Sequence, residues 1–209
     1  MARPKSSRSL EGRIAARMKK AEGEVFASVQ FLDLGTRAAV DQALSRLRRA
    51  GTIERAIRGL YYLPRRHALL GKLVAGTDEI VTAIARRDGL RLQEGGAHAA
   101  NIMRLTEQVP ARIIYDTDGP TRNVRVGGKL VIEFKHRSPR KMATAGRVTG
   151  MLISALANVG KAHITPKRLA PLRRELKPEH KRQLLADLPL APTWMHRHLR
   201  HIAAGNGTP

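Results

Sequence analysis

Apolar side chains near the N-terminus recur at the spacing of an α-helix and are interrupted by short extended segments. A first helix is predicted from its N-cap Ser9 to about Lys20, because one face carries the apolar residues Leu10, Ile14 and Met18. Residues 24–27 predict a short strand. Ser28 is the expected cap of a short second helix.

A third helix is predicted after Thr36, which is a favourable N-cap residue. Gly51 follows its C-terminus, and its buried stripe would consist of Val40, Ala43, Leu44 and Leu47. Two short strands at 52–57 and 60–63 would be joined tightly at Arg58-Gly59. Helix, strand, helix, turn, helix and hairpin is the order of a winged helix-turn-helix domain, which we therefore predict over residues 9–66.

The rest of the chain shows further helical and strand patterns. Helices are expected at 77–88, in an Ala-rich stretch up to Met103, and at 142–159, 167–176, 179–188 and 193–203. Strands are expected at 90–93, 112–115, 123–126 and 130–134. The predicted fold class is therefore α+β, with a winged helix-turn-helix followed by a mixed α/β C-terminal domain over 67–203. That domain would contain a small sheet and a helical C-terminal part. A basic disordered arm is expected at 1–8 and a disordered tail at 204–209.

The charge balance indicates a polyanionic partner. Lys and Arg number 39 against 17 Asp and Glu, so the formal net charge is +22 over 209 residues. The excess is spread along the chain, with +9 in residues 1–66 and +13 in residues 67–209. Phosphate backbones are the expected partner, because Lys and Arg close to DNA release its condensed counterions.

Several protein classes are disfavoured by composition. The chain has no cysteine, which excludes a disulfide scaffold, a zinc finger and a thiol nucleophile. The longest apolar run, 151–157, is far shorter than a bilayer requires, and the N-terminus lacks the apolar core of a secretory signal. We therefore expect no membrane partner and a location in the bacterial cytoplasm, in association with the nucleoid.

The outward face of the third helix is the predicted DNA-reading surface. Arg37 and Gln42 are long hydrogen-bond donors near its N-terminus, where a recognition helix meets base edges, whereas Thr36 and Ser45 suit phosphate contacts. The full set of candidate DNA-binding residues also includes the wing and is Thr36, Arg37, Gln42, Ser45, Arg46, Arg49, Arg55 and Arg58. Additional phosphate contacts are expected from Arg3, Lys5, Arg8, Arg137, Arg140, Lys141 and Arg147. The competing interpretation is that the arginines of this helix form an ordinary solvated face.

Five short motifs occur in a characteristic order: FLDLGTRAAVDQALSRL at 31–47, IRGLYYLP at 57–64, QVPA at 108–111, TDGPTR at 117–122 and IEFKH at 132–136. Together they resemble the AbiEi-like antitoxin family of type IV toxin–antitoxin systems, including its uncharacterised branches. The resemblance extends from about residue 10 to about residue 200. It implies an N-terminal winged helix that binds and represses the operon's own promoter. It also implies a C-terminal domain that counteracts a nucleotidyltransferase-like toxin. The family's DNA-contacting positions correspond here to Thr36, Arg37, Gln42, Arg46 and the wing around Arg58.

The function expected from residues and resemblance together is that of a sequence-specific, double-stranded DNA-binding transcriptional repressor, the autoregulating antitoxin of such a system. It would occlude a promoter and bind an inverted repeat as a homodimer, whose symmetry would set the half-site spacing. No enzymatic activity, cofactor or metal is expected.

Two alternatives remain open. Asp116 or Asp118, followed by Glu133 and Lys135, has the D…ExK order of Mg²⁺-dependent restriction-type nucleases, although short matches of this kind recur by chance. The other alternative is an architectural protein that coats DNA without preference for an operator.

Histidine and aromatic residues add little to the predicted function. In MHRHLRH at 195–201, His198 and His201 would share a helix face while His196 points elsewhere. Because there is no cysteine and no acidic residue between them, zinc binding is disfavoured. Trp194 is interpreted as a core plug or a hydrophobic staple rather than a base-stacking residue. At 3% aromatic residues, recognition of single strands by stacking platforms is disfavoured.

Overall fold

The computed structural model describes residues 9–69, 71–126 and 130–204, which form two compact units. The first comprises the chain up to Leu90 with the segment Arg125–Leu130, and the second comprises the remainder. The α-helices of the described chain are α1 (Leu10–Lys20), α2 (Arg37–Arg49), α3 (Thr77–Asp88), α4 (Gly96–Ile102), α5 (Val148–Val159), α6 (Pro166–Glu175), α7 (Pro178–Ala186) and α8 (His196–Ala203). The strands are β1 (Val25–Ala27), β2 (Glu54–Ile57), β3 (Leu60–Tyr62), β4 (Arg65–His67), β5 (Gly71–Leu73), β6 (Leu92–Glu94), β7 (Ile113–Thr117), β8 (Arg122–Val126) and β9 (Leu130–His136).

The first helices of the first unit begin at side-chain caps. Ser9 Oγ accepts a hydrogen bond from the Gly12 amide at 3.1 Å, and Thr36 Oγ1 accepts one from the Ala39 amide at 3.4 Å. Each cap satisfies an amide that has no partner within its helix. The predictions of both helices and both caps are confirmed.

The short helix between them differs from its prediction. It is a single 3-10 turn, Ser28–Phe31, and Ser28 is its first residue rather than its cap. The N-cap position belongs to Ala27, whose amide donates to Gln30 Oε1 at 2.7 Å. Gln30 therefore closes the start of this turn by accepting from the Ala27 amide, and Ser28 does not act as a cap.

A three-stranded antiparallel sheet in the order β1-β3-β2 completes this part of the unit. The tight turn Arg58-Gly59 joins β2 to β3, and Gly59 has a φ of +79°, a conformation that favours glycine. The buried stripe predicted for α2 packs against α1 and the 3-10 turn Ser28–Phe31. The apolar core of the unit consists of Ile14, Met18, Phe26, Phe31, Val40, Ala43, Leu44, Leu47 and Ile53.

The first unit continues past the domain boundary expected after residue 66. Helix α3 packs on β1 and β3, and it buries Ile80, Val81 and Ile84. Its predicted start and end are confirmed, since Glu79 Oε2 accepts from the Gly76 amide at 2.7 Å and Gly89 ends the helix with a φ of +66°. Because this helix covers the small sheet, the compact unit reaches Leu90.

The second unit contains a four-stranded sheet in the order β6-β7-β9-β8. Strand β6 is antiparallel to β7, whereas β7 and β9 are parallel and pair Tyr115 with Phe134. The strands expected here are present, with bounds displaced by up to two residues at each end. The helix expected from residue 142 begins at Val148, because residues 142–147 form turns and Gly146 has a φ of +75°.

Two adjacent glycines at the start of α4 allow close packing, Gly95 against β7 and Gly96 against α5. The Gly95 amide donates to the Ile114 carbonyl at 2.8 Å, and a Cβ atom on Gly95 would lie 2.7 Å from that same oxygen. A Cβ atom on Gly96 would lie 2.9 Å from Asn158 Cβ and 3.1 Å from the Ser154 carbonyl oxygen. This dipeptide therefore has a packing role, because a side chain at either position would collide with the neighbouring element.

The C-terminal part of the second unit is helical. Helix α8 packs against α6 and α7, and α7 also contacts α5. The shared core includes Leu152, Leu156, Leu169, Leu184, Met195, Leu199 and Ile202. The coarse prediction of a mixed α+β protein with small sheets and a helical C-terminal part is thereby confirmed. No helix within the described residues is long and apolar enough to cross a membrane.

The core of the first unit predicts the effect of truncating α2. Leu44 is fully buried, so we expect Leu44→Ala to lower the free energy of unfolding by about 2–5 kcal/mol through lost burial and the cavity left behind. Leu32 is 41% exposed, and Leu32→Ala is the matched control, with an expected change within about 0.5 kcal/mol. Chemical denaturation of both variants checks this; equal losses would contradict the assigned core.

Candidate nucleic-acid interface

The exposed face of α2 carries the predicted DNA-reading residues. Gln42, Ser45 and Arg49 are spaced by three and four positions, so they lie on one face, opposite the buried stripe. Gln42 and Arg49 are exposed and Ser45 is half-buried. Arg49 Nη2 donates to Ser45 Oγ at 3.4 Å. These three side chains form the polar stripe of α2.

Arg37 lies beside this polar stripe and forms an ion pair within its own helix. Its Nε atom is 2.8 Å from Asp41 Oδ2, and both side chains are at least half exposed. An exposed pair of this i, i+4 kind is worth about 0.3–0.5 kcal/mol. Arg37 can therefore exchange Asp41 for a phosphate or a base at little cost.

Arg46 is less available for contacts with DNA than the sequence indicates. Its Nη1 atom is 2.9 Å from Glu11 Oε1, and the Glu11 side chain is only 12% exposed. The pair joins α2 to α1, so part of the charge of Arg46 serves to position the helix. Thr36 is exposed, and its hydroxyl is used as the N-cap of α2.

The β2–β3 turn presents the other predicted cations of the first unit. Arg55 on β2 and Arg58 in the turn are both exposed. The Arg58 carbonyl accepts a hydrogen bond from Arg87 Nη1 at 3.1 Å. Arg87 is in turn paired with Asp88 at 2.7 Å, and the hydrogen bond that it donates to that carboxylate raises the pKa of the guanidinium. The turn is thus held to α3 by a permanently charged donor.

A second basic hairpin was not predicted from the sequence. Strands β4 and β5 pair Arg66 with Lys72 across an antiparallel ladder. Lys72 Nζ lies 3.1 Å from Glu54 Oε1 and 3.4 Å from the Gly51 carbonyl oxygen, while Arg66 is exposed. The available signal is Gly71, which has a φ of +71° and follows the basic run at 65–67. Arg66 joins the candidate phosphate contacts.

The four basic residues predicted as additional contacts in the second unit divide into two kinds. Arg137 Nε is 2.8 Å from Asp116 Oδ1, and Arg147 Nη1 is 2.7 Å from Oδ1 of the buried Asp187. These two cations are structural partners of carboxylates. Arg140 and Lys141 are exposed, and no ion pair engages either of them among the described residues. They remain available to an anion.

The residues of the D…ExK pattern share one face of the sheet. Asp116 pairs with Lys135 in the β7–β9 register, and Glu133 lies two positions before Lys135. Each carboxylate is already held by cations: Arg137 contacts Asp116, and Glu133 is 3.4 Å from Arg112 Nη1 and 3.6 Å from Lys135 Nζ. The arrangement is that of charge pairs on a sheet face.

Asp118, the other candidate acid, lies in the turn after β7. Its carboxylate accepts from the Arg91 side chain and from the Arg91 amide, each at 2.9 Å, and these hydrogen bonds lower the pKa of Asp118. Within the described chain, no group of three His, Asp or Glu side chains could hold a metal ion. Asp118, like Asp116 and Glu133, is thus engaged by an arginine.

Trp194 packs against the apolar core of the second unit, in keeping with its interpretation as a core or staple residue. It belongs to a 3-10 turn, Thr193–Met195, ahead of α8, and it is half-buried. Its ring meets the ring of His198 edge-on, with the centroids 6.3 Å apart. Trp194 also lines two clefts in the surface of the second unit.

Some predicted contacts lie outside the described residues. These are Arg3, Lys5 and Arg8 in the expected basic arm, and the expected tail from residue 205 onward.

The fold and the charge distribution define a basic α+β protein. The chain belongs to the family of unknown function DUF6088, whose model matches residues 13–184, more than four fifths of the chain. A search among curated proteins found no match. A search among solved structures found none.

The burial of His198 predicts a pH dependence of stability. Desolvation lowers the pKa of this imidazole, and the nearby positive charges of Arg197, His201 and Lys161 lower it further. The folded state, which holds His198 neutral, is therefore fully stabilised above the pKa of a histidine in the unfolded chain, near 6.5. This stabilisation is lost as the pH falls from there through the lower pKa that His198 has in the folded protein. We expect the free energy of unfolding, measured between pH 8 and pH 5, to fall less in His198→Gln than in the wild type. Equal losses would contradict this.

Proposed function

We propose that this protein is a sequence-specific, double-stranded DNA-binding transcriptional repressor. In this proposal the first unit is a winged helix-turn-helix, α2 is its recognition helix, and the β2–β3 hairpin is its wing. The repressor occludes a promoter when it binds.

The observation that carries the proposal is the polar stripe of α2. A helix with its side chains is about 10–12 Å across, which matches the width of the major groove of B-DNA. Gln42 and Arg49 project from the exposed face and have the donors that read adenine and guanine edges. The opposite face of α2 is buried in the core, so only this polar face is free to enter a groove.

The wing and the neighbouring hairpin supply the positioning contacts. Arg55, Arg58 and Arg66 are exposed on short strands and turns of the first unit. Contacts from such residues to phosphates hold the register of a protein on the duplex without reading its sequence. The bond from Arg87 to the Arg58 carbonyl limits the freedom of the wing, and so lowers the entropy cost of docking it.

Binding as a homodimer completes the proposed mechanism. A two-fold dimer would present two α2 helices to half-sites about one helical turn, or 34 Å, apart on an inverted repeat. An architectural protein without operator preference would bind the operator and an unrelated duplex with equal affinity, so the ratio of the two affinities would be near one.

Paired substitutions separate base reading from phosphate binding. We expect Gln42→Ala to weaken binding to the promoter upstream of the protein's own gene by about 1–3 kcal/mol, with little effect on an unrelated duplex. Arg58→Ala should weaken binding to both duplexes equally and reduce the salt slope by about one, because a phosphate contact is independent of sequence. Fluorescence anisotropy at several salt concentrations measures both quantities.

The matched controls are exposed residues outside the proposed interface. Gln108→Ala and Lys19→Ala remove an amide and a cation from other surfaces, and neither should change the affinity for either duplex. A uniform loss for Gln42→Ala on both duplexes would rule out α2 as the base-reading element.

The resemblance to AbiEi-like antitoxins extends the proposal. On this basis the protein also neutralises a nucleotidyltransferase-like toxin, with the second unit as the neutralising part. The motifs at 108–111, 117–122 and 132–136, all in the second unit, are what supports this extension.

A growth assay tests the antitoxin function apart from DNA binding. We expect coexpression of the full chain to restore growth to cells that produce a nucleotidyltransferase encoded beside its gene. Gln42→Ala should restore growth equally, because α2 serves DNA binding only. Failure of the wild-type chain to relieve such a toxin would refute neutralisation and leave the repressor proposal intact.

A further inference from the structure

Two basic clefts in the second unit share the side chain of Trp194. The first has a volume of about 770 Å³ and is lined by Arg140, Lys141, Ser154 and Asn158, among others. The second, of about 300 Å³, is lined by Lys161, Arg197 and Arg200. Trp194 forms part of the wall of both clefts.

The charge of these clefts favours an anionic ligand. Among the described residues that line them, Asp116 is the only carboxylate, and Arg137 already neutralises it at 2.8 Å. Arg140, Lys141, Lys161 and Arg200 have exposed side chains with no ion-pair partner in the described part of the chain. Each cleft therefore has its own set of cations, and Trp194 is common to the two.

The first cleft also has the composition of a site for a flat organic group. Ile153, Pro192 and Met195 line it beside Trp194. Ser154, Asn158 and Thr144 add hydrogen-bonding groups to the same walls. An aromatic wall with a few polar groups is the usual composition of a ligand pocket, and the volume lies within the usual range.

We infer that this surface binds a single-stranded nucleic acid, with one base against Trp194 and the flanking phosphates on the cations of the two clefts. Stacking on an aromatic ring combined with a basic track is the general mode by which single strands are held. A duplex does not fit this mode, because its bases are already stacked on one another and their faces are not available. A mononucleotide would place its single phosphate group on the cations of only one cleft.

One aromatic residue is sufficient for this arrangement, although the low aromatic content argues against an extended stacking platform. The affinity would come mainly from phosphates, with Trp194 adding the contact that a duplex cannot make. The site lies on the second unit, whereas α2 and the β2–β3 turn belong to the first. The inference therefore does not depend on the repressor proposal.

The chain's single tryptophan allows a direct test in the full-length protein. Trp194 is the only source of indole fluorescence, so a base that stacks on it should quench the emission of the whole chain. We expect quenching by a single-stranded oligonucleotide of about 20 mixed nucleotides, in DNA or RNA form, and none by the corresponding duplex. No quenching by either single strand, or equal quenching by the duplex, would overturn the inference.

Charge variants test the two clefts. In the double variants Arg140→Ala/Lys141→Ala and Arg197→Ala/Arg200→Ala, we expect affinity for the single strand to fall about tenfold and the salt slope to fall by about 1.4, as two phosphate contacts are lost. Lys167→Ala/Arg182→Ala removes the same charge from exposed positions of this unit outside both clefts and is the matched control. An equal loss in the control would overturn the inference, because it would show that only net charge matters.

Variants of Trp194 separate stacking from folding. Trp194→Phe keeps an aromatic face and should bind a labelled single strand within about twofold of the wild type, whereas Trp194→Leu keeps apolar bulk only and should bind about tenfold more weakly. Circular dichroism and thermal unfolding check that both variants are folded. Equal affinity of the folded Phe and Leu variants would overturn the stacking contact. Quenching by uridine monophosphate at the same affinity as the strand would identify a small-molecule site and overturn the inference.

Discussion

The arginine–carboxylate ion pair is the interaction on which the surface chemistry of this protein depends. The chain has 17 carboxylate side chains, and at least twelve of them contact a Lys or Arg side chain. Because cations outnumber carboxylates more than twofold, these pairs leave a large remainder of positive charge. Pairs whose carboxylate is little exposed, such as Arg46–Glu11 and Arg147–Asp187, join neighbouring elements within a unit. The unpaired cations, together with exposed and weakly paired ones such as Arg37, are then available to an external anion.

Elements that depend on local signals could be predicted from the sequence, whereas elements that depend on exposed strands or long-range contacts could not. Helices α1 and α2 were predictable because their apolar spacing and Ser or Thr caps are local signals, and the Arg58-Gly59 turn has a local glycine signal as well. The β4–β5 hairpin was missed because its strands are largely exposed, so burial imposes no alternation on them. The parallel pairing of β7 with β9 depends on contacts distant in sequence, which strand propensity does not encode.

For the candidate sites, too, local features could be predicted and long-range contacts could not. The outward residues of α2 follow from helical periodicity, so Gln42 and Arg49 could be placed on the surface without a structure. Which cations are neutralised could not be predicted, because the partners of Arg46 and Arg137 are 35 and 21 positions away. The convergence of two clefts on Trp194 likewise requires the segment after β9 to be folded together with α5 and α8. Tertiary structure thus changes the interpretation of the +13 charge of residues 67–209 from a general excess to a set of individual cations.

The glycine pair at the start of α4 has a consequence for the evolution of this fold. Gly95 and Gly96 face backbone or Cβ atoms at distances that no larger residue can occupy, so purifying selection should act on this dipeptide independently of any ligand. Their retention would mark inheritance of the α4–α5 packing even where Trp194 and the surrounding cations have diverged. Among members of the DUF6088 family, the glycines would report common architecture, and the residues around the tryptophan would report whether the binding surface was kept.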